Sequence, residues 1–170
     1  GLHAVFARSS TWKLMVARGL TDPVWYFYLF WFPKYLLGER GLSLAQVAQL
    51  GWAVYLAAGI GTLAGGLFSG ALIRRGVRVG VSYRYTMLAA ACLMPLSPLC
   101  ALVSSSTLAI GIASIVAFAH MTWLVTLTAT IVELYPPSLI GKAAGLIAAG
   151  SGFGGMISSE VIAVFFSYGL

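Results

Sequence analysis

Five runs of mainly apolar residues, at about 14–36, 46–73, 79–103, 107–132 and 140–168, alternate with short polar stretches along the chain. Each run reaches the roughly 20 apolar residues that a helix needs to cross a bilayer. The connections at 37–45, 74–78, 104–106 and 133–139 are short. Short links make consecutive spans antiparallel neighbours. The pattern therefore predicts an all-α, polytopic membrane helical bundle of about five transmembrane helices, with the lipid bilayer as its first partner.

The first run differs from the others in kind. From Thr21 to Leu36 it reads Thr-Asp-Pro-Val-Trp-Tyr-Phe-Tyr-Leu-Phe-Trp-Phe-Pro-Lys-Tyr-Leu. A lipid anchor needs only Leu, Ile and Val. Aromatic belts sit at the two membrane surfaces, whereas these rings run through the helix. Phenol and indole rings with polar edges suit a helix lining a partly wet cavity.

Composition agrees with the span count. The chain is 60% hydrophobic and 8% charged, with a mean hydropathy of +0.94. An ordinary soluble domain has about a quarter charged residues. The net charge of +6 does not point to nucleic acid, because the basic residues lie between spans and form no single patch. Arg8, Lys13, Arg18, Arg74, Arg75, Arg78, Arg84 and Lys142 fall on one side when five spans alternate, and only Lys34 and Arg40 on the other. Basic loops stay cytoplasmic, so the N-terminus is expected inside and the C-terminus outside. An odd helix count and a first residue other than Met suggest a piece of a longer protein, with a sixth helix beyond Leu170.

Cys92 and Cys100 lie in one apolar run, about 12 Å apart on a helix, which is beyond disulfide reach. No metal spacing is present, and no cofactor is expected. Gly59-x-Gly61-x-x-Ala64 matches a dinucleotide motif by letters, but that motif needs a preceding strand. An enzyme built on His120 and Glu133 fails on distance. Thirteen residues span about 20 Å on one helix, too far for a general-base pair. Glycine pairs at Gly61/Gly65, Gly66/Gly70, Gly141/Gly145 and Gly150/Gly154 mark close helix packing.

The aromatic run from Asp22 to Leu36 resembles the start of the C-terminal half of the major facilitator superfamily. More narrowly, it is similar to the anion:cation symporters of hexuronates, galactonate and related sugar acids. Three further stretches match in order. Gly65-Gly66-x-x-Ser69-x-x-Leu72-Ile73-Arg74-Arg75-Gly76 resembles the loop motif between helices eight and nine. His120-x-x-Trp123 with Glu133-Leu134-Tyr135-Pro136 is similar to the end of helix ten. The run from Gly145-Leu146 to Gly152-Phe153-Gly154-Gly155-Met156 resembles helix eleven. The resemblance implies helices seven to eleven of a twelve-helix transporter in the bacterial inner membrane, partnered by an N-terminal half of the same protein. Two departures stand out: Gly70 replaces the loop motif's acid, and Met121 and Thr126 replace an amide pair.

Helices seven and ten line the cavity in this superfamily, so the resemblance directs substrate contacts to Tyr26, Tyr28, Trp31, Trp123 and Thr126. Tyr28 and Trp31, three apart, are expected on one helix face. Ionisable groups in spans are functional candidates by default. Asp22 either caps a helix restart at Pro23 or couples an ion. His120 is a hydrogen-bonded structural residue or a proton relay, and Glu160 a proton carrier or a headgroup neighbour. The implied function is secondary transport of a small organic anion, coupled to a proton or another cation. A non-transporting relative, or a transporter of a less polar solute, is the alternative.

Overall fold

The computed structural model describes residues 2–167. Among the described residues every regular element is a helix. α1 (Leu2–Phe6) and α2 (Ser9–Tyr26) lead into a π-helical turn at Phe27–Trp31 and α3 (Phe32–Gly38). α4 (Leu44–Arg74) and α5 (Val79–Ala91) form a hairpin, followed by a 3-10 turn at Met94–Leu96 and the short α6 (Leu99–Leu102). α7 (Ser106–Leu134) and α8 (Pro137–Ser167) complete the chain. Four stretches are long and apolar enough to cross a membrane: Leu44–Arg74, Val79–Leu102, Ser106–Leu134 and Pro137–Val164. The fifth expected span ends at Tyr168, which lies outside the described residues.

Local chemistry sets several boundaries. Ser43 caps α4 reciprocally: its hydroxyl accepts from the Gln46 N–H, and the Gln46 side chain accepts from the Ser43 N–H. That box satisfies two donors which a helix start otherwise leaves open. The α4–α5 turn passes through Gly76 at φ 86°, a left-handed conformation that costs glycine nothing.

Two expectations need correction. The helix does not restart at Asp22. Pro23 lies inside α2, and the irregularity falls later, at the π turn of Phe27–Trp31. A proline removes only its own donor, which leaves the carbonyl four residues back, that of Gly19, without its helical partner. The third span is not one α-helix. Pro95 and Pro98 interrupt it, and the chain crosses the break in a 3-10 turn. The break in the third span follows from Pro95 and Pro98, neither of which can donate to the ladder.

The chain forms two compact units, Gly1–Phe27 with Ile131–Leu170, and Tyr28–Thr130. In the first unit, α2 and α8 run in the same direction. Gly150 faces the backbone of Met15, and Gly154 faces the Gly19 carbonyl so closely that a Cβ at either glycine would collide with it. That carbonyl is the one Pro23 leaves open. Arg8 donates to the Leu134 carbonyl at 2.7 Å and stacks over Tyr135, capping the end of α7.

In the second unit, α4 and α7 also run in the same direction. A Cβ at Gly61 would strike the Phe118 backbone, and one at Gly65 would meet Val125 and the Thr122 carbonyl. The hydroxyl of Thr122 donates to the Gly61 carbonyl at 2.9 Å. Ser82 of α5 donates to the Ser69 carbonyl of α4 at 2.7 Å and pins the hairpin. Arg40 reaches from the α3–α4 loop to the end of α6. It donates to the carbonyls of Cys100 (3.1 Å), Val103 and Ser104 (2.9 Å), and to the Tyr35 hydroxyl (2.7 Å).

Candidate functional site

In the first unit, Asp22 is buried, and the Arg18 Nε donates to its Oδ2 at 2.9 Å. The two are one helical turn apart, so the pair was readable from i,i+4 spacing. Asp22 thus pairs with Arg18 inside α2 and caps no helix. Tyr26 lies in the notch above Gly155, where a Cβ would press on its ring, and its hydroxyl shares a 3.0 Å hydrogen bond with Ser151. Glu160 is exposed on α8.

In the second unit, Tyr28 and Trp31 both lie in the π turn. Tyr28 is 3% exposed and its hydroxyl shares a 2.8 Å bond with Ser97, inside the proline break. Trp31 is half-buried, with the Lys34 ammonium 4.8 Å from its ring centre. The shared face expected of these two residues assumed α geometry, and a π turn carries an extra residue per turn-closing bond. Ser97 and Lys34 were missed as partners. Ser97 could have been suspected, because a hydroxyl between two prolines sits where backbone groups lack helical partners.

α7 brings three candidates together. His120 and Trp123 are both buried, with rings stacked at 6.5 Å. Thr126 is buried and donates to the Thr122 carbonyl at 2.7 Å. Thr122, Thr126 and Thr130 repeat at four-residue spacing, each bonded back to the carbonyl one turn earlier. Such back-bonding satisfies a hydroxyl inside an apolar span and tends to bend the helix. Only Thr126 of this stripe was singled out from the sequence.

The apolar spans, the loop motif and the aromatic run meet their counterpart in known proteins. The sequence profile of the Major Facilitator Superfamily matches residues 1–159. The chain belongs to that superfamily. The hexuronate transporter of Bacillus subtilis (strain 168) is 33% identical over 92 residues, covering 54% of this chain and 19% of its own length. The D-galactonate transporter of Escherichia coli O6:H1 is 28% identical over 172 aligned residues, covering 89% of this chain and 37% of its own. A probable galactarate/D-glucarate transporter of Escherichia coli K12 is 28% identical over 97 residues, 57% of this chain and 22% of its own. The chain thus spans well under half the length of these relatives.

As a Major Facilitator Superfamily chain, this is an all-helical integral membrane protein of a transport family, and not of an enzyme family. Gly70 lies one turn before the end of α4. The Arg74 guanidinium lies over it, 3.5 Å from where a Cβ would be.

Proposed function

We propose that this chain contributes helices seven to eleven to a secondary active transporter in the bacterial inner membrane. It moves a small organic anion, a sugar acid such as a hexuronate or aldonate, by alternating access of two half-transporters around a midplane site. Uptake is driven by a proton or another cation. The observation that carries this reading is the relationship to sugar-acid transporters, which in the galactonate case covers 89% of the chain.

The site geometry is compatible with that solute. Tyr26 and Thr126 carry hydroxyls, the chemistry that suits the hydroxyls of a sugar acid. Trp31 and Trp123 offer ring faces, and the Tyr28 hydroxyl orients against Ser97. Asp22, His120 and Glu160 are the ionisable groups available for coupling. Asp22, already beside Arg18, is the favoured one of the three, since an acid that gains a proton would release its arginine.

The test is uptake of labelled glucuronate and galactonate by the full-length protein in proteoliposomes under an imposed proton gradient. Saturable, gradient-dependent accumulation of a sugar acid is expected; its absence for every sugar acid tried sinks the reading. Tyr26→Phe should raise the apparent KM roughly two- to twelvefold, the equivalent of one net hydrogen bond. Ser151→Ala, which removes only the internal partner, should leave KM closer to the parent value. Equal effects of both variants would confine Tyr26 to packing. Cysteines at Gly38 and Arg75 should react with an impermeant thiol reagent from outside and inside respectively.

A further inference from the structure

Below the Ser69–Ser82 contact, α4 and α5 diverge and leave a groove of about 220 Å³ against α7. Its walls are Ala64 and Phe68 of α4, Ala89 and Ala90 of α5, Leu93 beyond α5, and Phe118 of α7. The groove exists because small residues at 64, 89 and 90 face the large rings of Phe68 and Phe118. Two threonines also line it, but their hydroxyl hydrogens are directed at backbone. Thr86 donates to the Ser82 carbonyl at 3.0 Å, and Thr122 to those of Gly61 and Phe118 at 2.9 Å. What the groove presents is hydrocarbon. A polyhydroxy acid finds no hydroxyl hydrogen directed at it there.

The head of the same hairpin is cationic. Arg74, Arg75 and Arg78 are exposed, and among the described residues none of them has a hydrogen-bond or ion-pair partner. Helical phase separates them. Arg75 is the residue just past the end of α4, seven after Phe68 and eleven after Ala64, which brings it to the head of the groove wall. Arg78 is the residue just before α5, eight before Thr86, at the head of the other wall. Arg84, two residues from Thr86, falls on the opposite face of α5. From Arg75 to Ala64 is about 16 Å along the helix, close to the roughly 15 Å depth of one leaflet's hydrocarbon.

We infer that the α4–α5 hairpin holds one anionic phospholipid, with its phosphate at Arg75 and Arg78 and an acyl chain in the groove beside Phe68 and Phe118. Charge and length choose the occupant together. Four exposed arginines on one hairpin exceed what a zwitterionic headgroup neutralises, and basic residues at a membrane surface favour anionic lipid. The site is separate from the candidate solute contacts and does not depend on which solute is carried.

The experiment uses the full-length protein purified in mild detergent, with phosphatidylglycerol and phosphatidylcholine of equal chain length offered in competition. Bound lipid is counted by native mass spectrometry. One retained phosphatidylglycerol is expected, with Arg75→Gln/Arg78→Gln lowering its affinity about thirtyfold, two charges at about 1 kcal/mol each. Arg84→Gln should change it little. Ala89→Trp should expel the chain while leaving the arginines intact. Equal losses from Arg84→Gln and from the double variant would overturn the inference, since they would mean diffuse attraction. So would displacement by inorganic phosphate, which would mark a soluble-anion site, or retention unaffected by Ala89→Trp. A cysteine at Ala89 that cross-links to another segment of the protein would place a helix, not a lipid, in the groove.

Discussion

The two same-direction helix pairs, α2 with α8 and α4 with α7, both approach through glycine, yet they are tied differently. Between α2 and α8 the glycines put backbone on backbone, and the hydrogen bond joins two side chains, Tyr26 and Ser151. Between α4 and α7 a side chain bonds the backbone itself, Thr122 onto the Gly61 carbonyl. A bond between two rotatable hydroxyls can be remade after a small shift. A bond onto a helix backbone fixes register. The α2–α8 seam is built to be adjusted and the α4–α7 seam to be held, although both use the same small residue.

Substitutions can break or sharpen that contrast. The largest effect is expected from Gly61→Ala, where the new methyl strikes the Phe118 backbone and also displaces Thr122. Overpacking costs about 1–3 kcal/mol and occasionally more, and the lost bond adds to it, so thermal unfolding in detergent should show the greatest drop. Gly154→Ala collides with the Gly19 carbonyl but breaks no hydrogen bond. Its loss should stay within about 1–3 kcal/mol; a loss larger than that of Gly61→Ala would reverse the contrast. Thr122→Val removes the hydroxyl at nearly constant volume. It should lower stability by about 0.6 kcal/mol, the average for hydrogen bonds between membrane helices, and an unchanged melting curve would deny that this bond fixes α4 on α7. The smallest effect belongs to Gly66→Ala. No atom lies within 4 Å of its added methyl, and alanine's better helix propensity makes the change neutral or slightly stabilising.

The spans were legible because a hydrophobic run of membrane length has few alternatives to a helix. The helices at Leu44–Arg74, Ser106–Leu134 and Pro137–Ser167 start and stop within about three residues of the apolar runs that predict them. The glycine seams were legible as motifs but not as partners. Of the four pairs, Gly61/Gly65 and Gly150/Gly154 meet a neighbour, whereas a methyl on Gly66, Gly141 or Gly145 would meet nothing within 4 Å. Spacing shows that a helix can be approached closely, not which helix comes. The π turn left no periodic mark, since hydrophobic pattern cannot register one extra residue in a run that is aromatic on every side. Tyr28 and Trp31 were therefore assigned one face on α geometry, which the π turn does not follow. The break at Pro95 and Pro98 was visible in the letters, and the apolar count simply outweighed it. Among the site candidates, the Arg18–Asp22 pair lay within reach of helical spacing although Asp22 was read as a cap or a coupling group, whereas Tyr26–Ser151 joins positions 125 apart that no local pattern connects.

The Arg40 side chain has a consequence for how the protein opens. One guanidinium donates to four carbonyls at the end of α6 and to one tyrosine hydroxyl within α3. Those carbonyls belong to a stretch already interrupted by two prolines, where few ladder bonds resist fraying. Local opening there cannot proceed without releasing Arg40, and releasing Arg40 removes the side-chain tie between the 39–43 turn and α6 at the same moment. Amide hydrogens on the two turns should therefore exchange with solvent as one cooperative unit, at a common rate, and Arg40→Ala should split that rate in two.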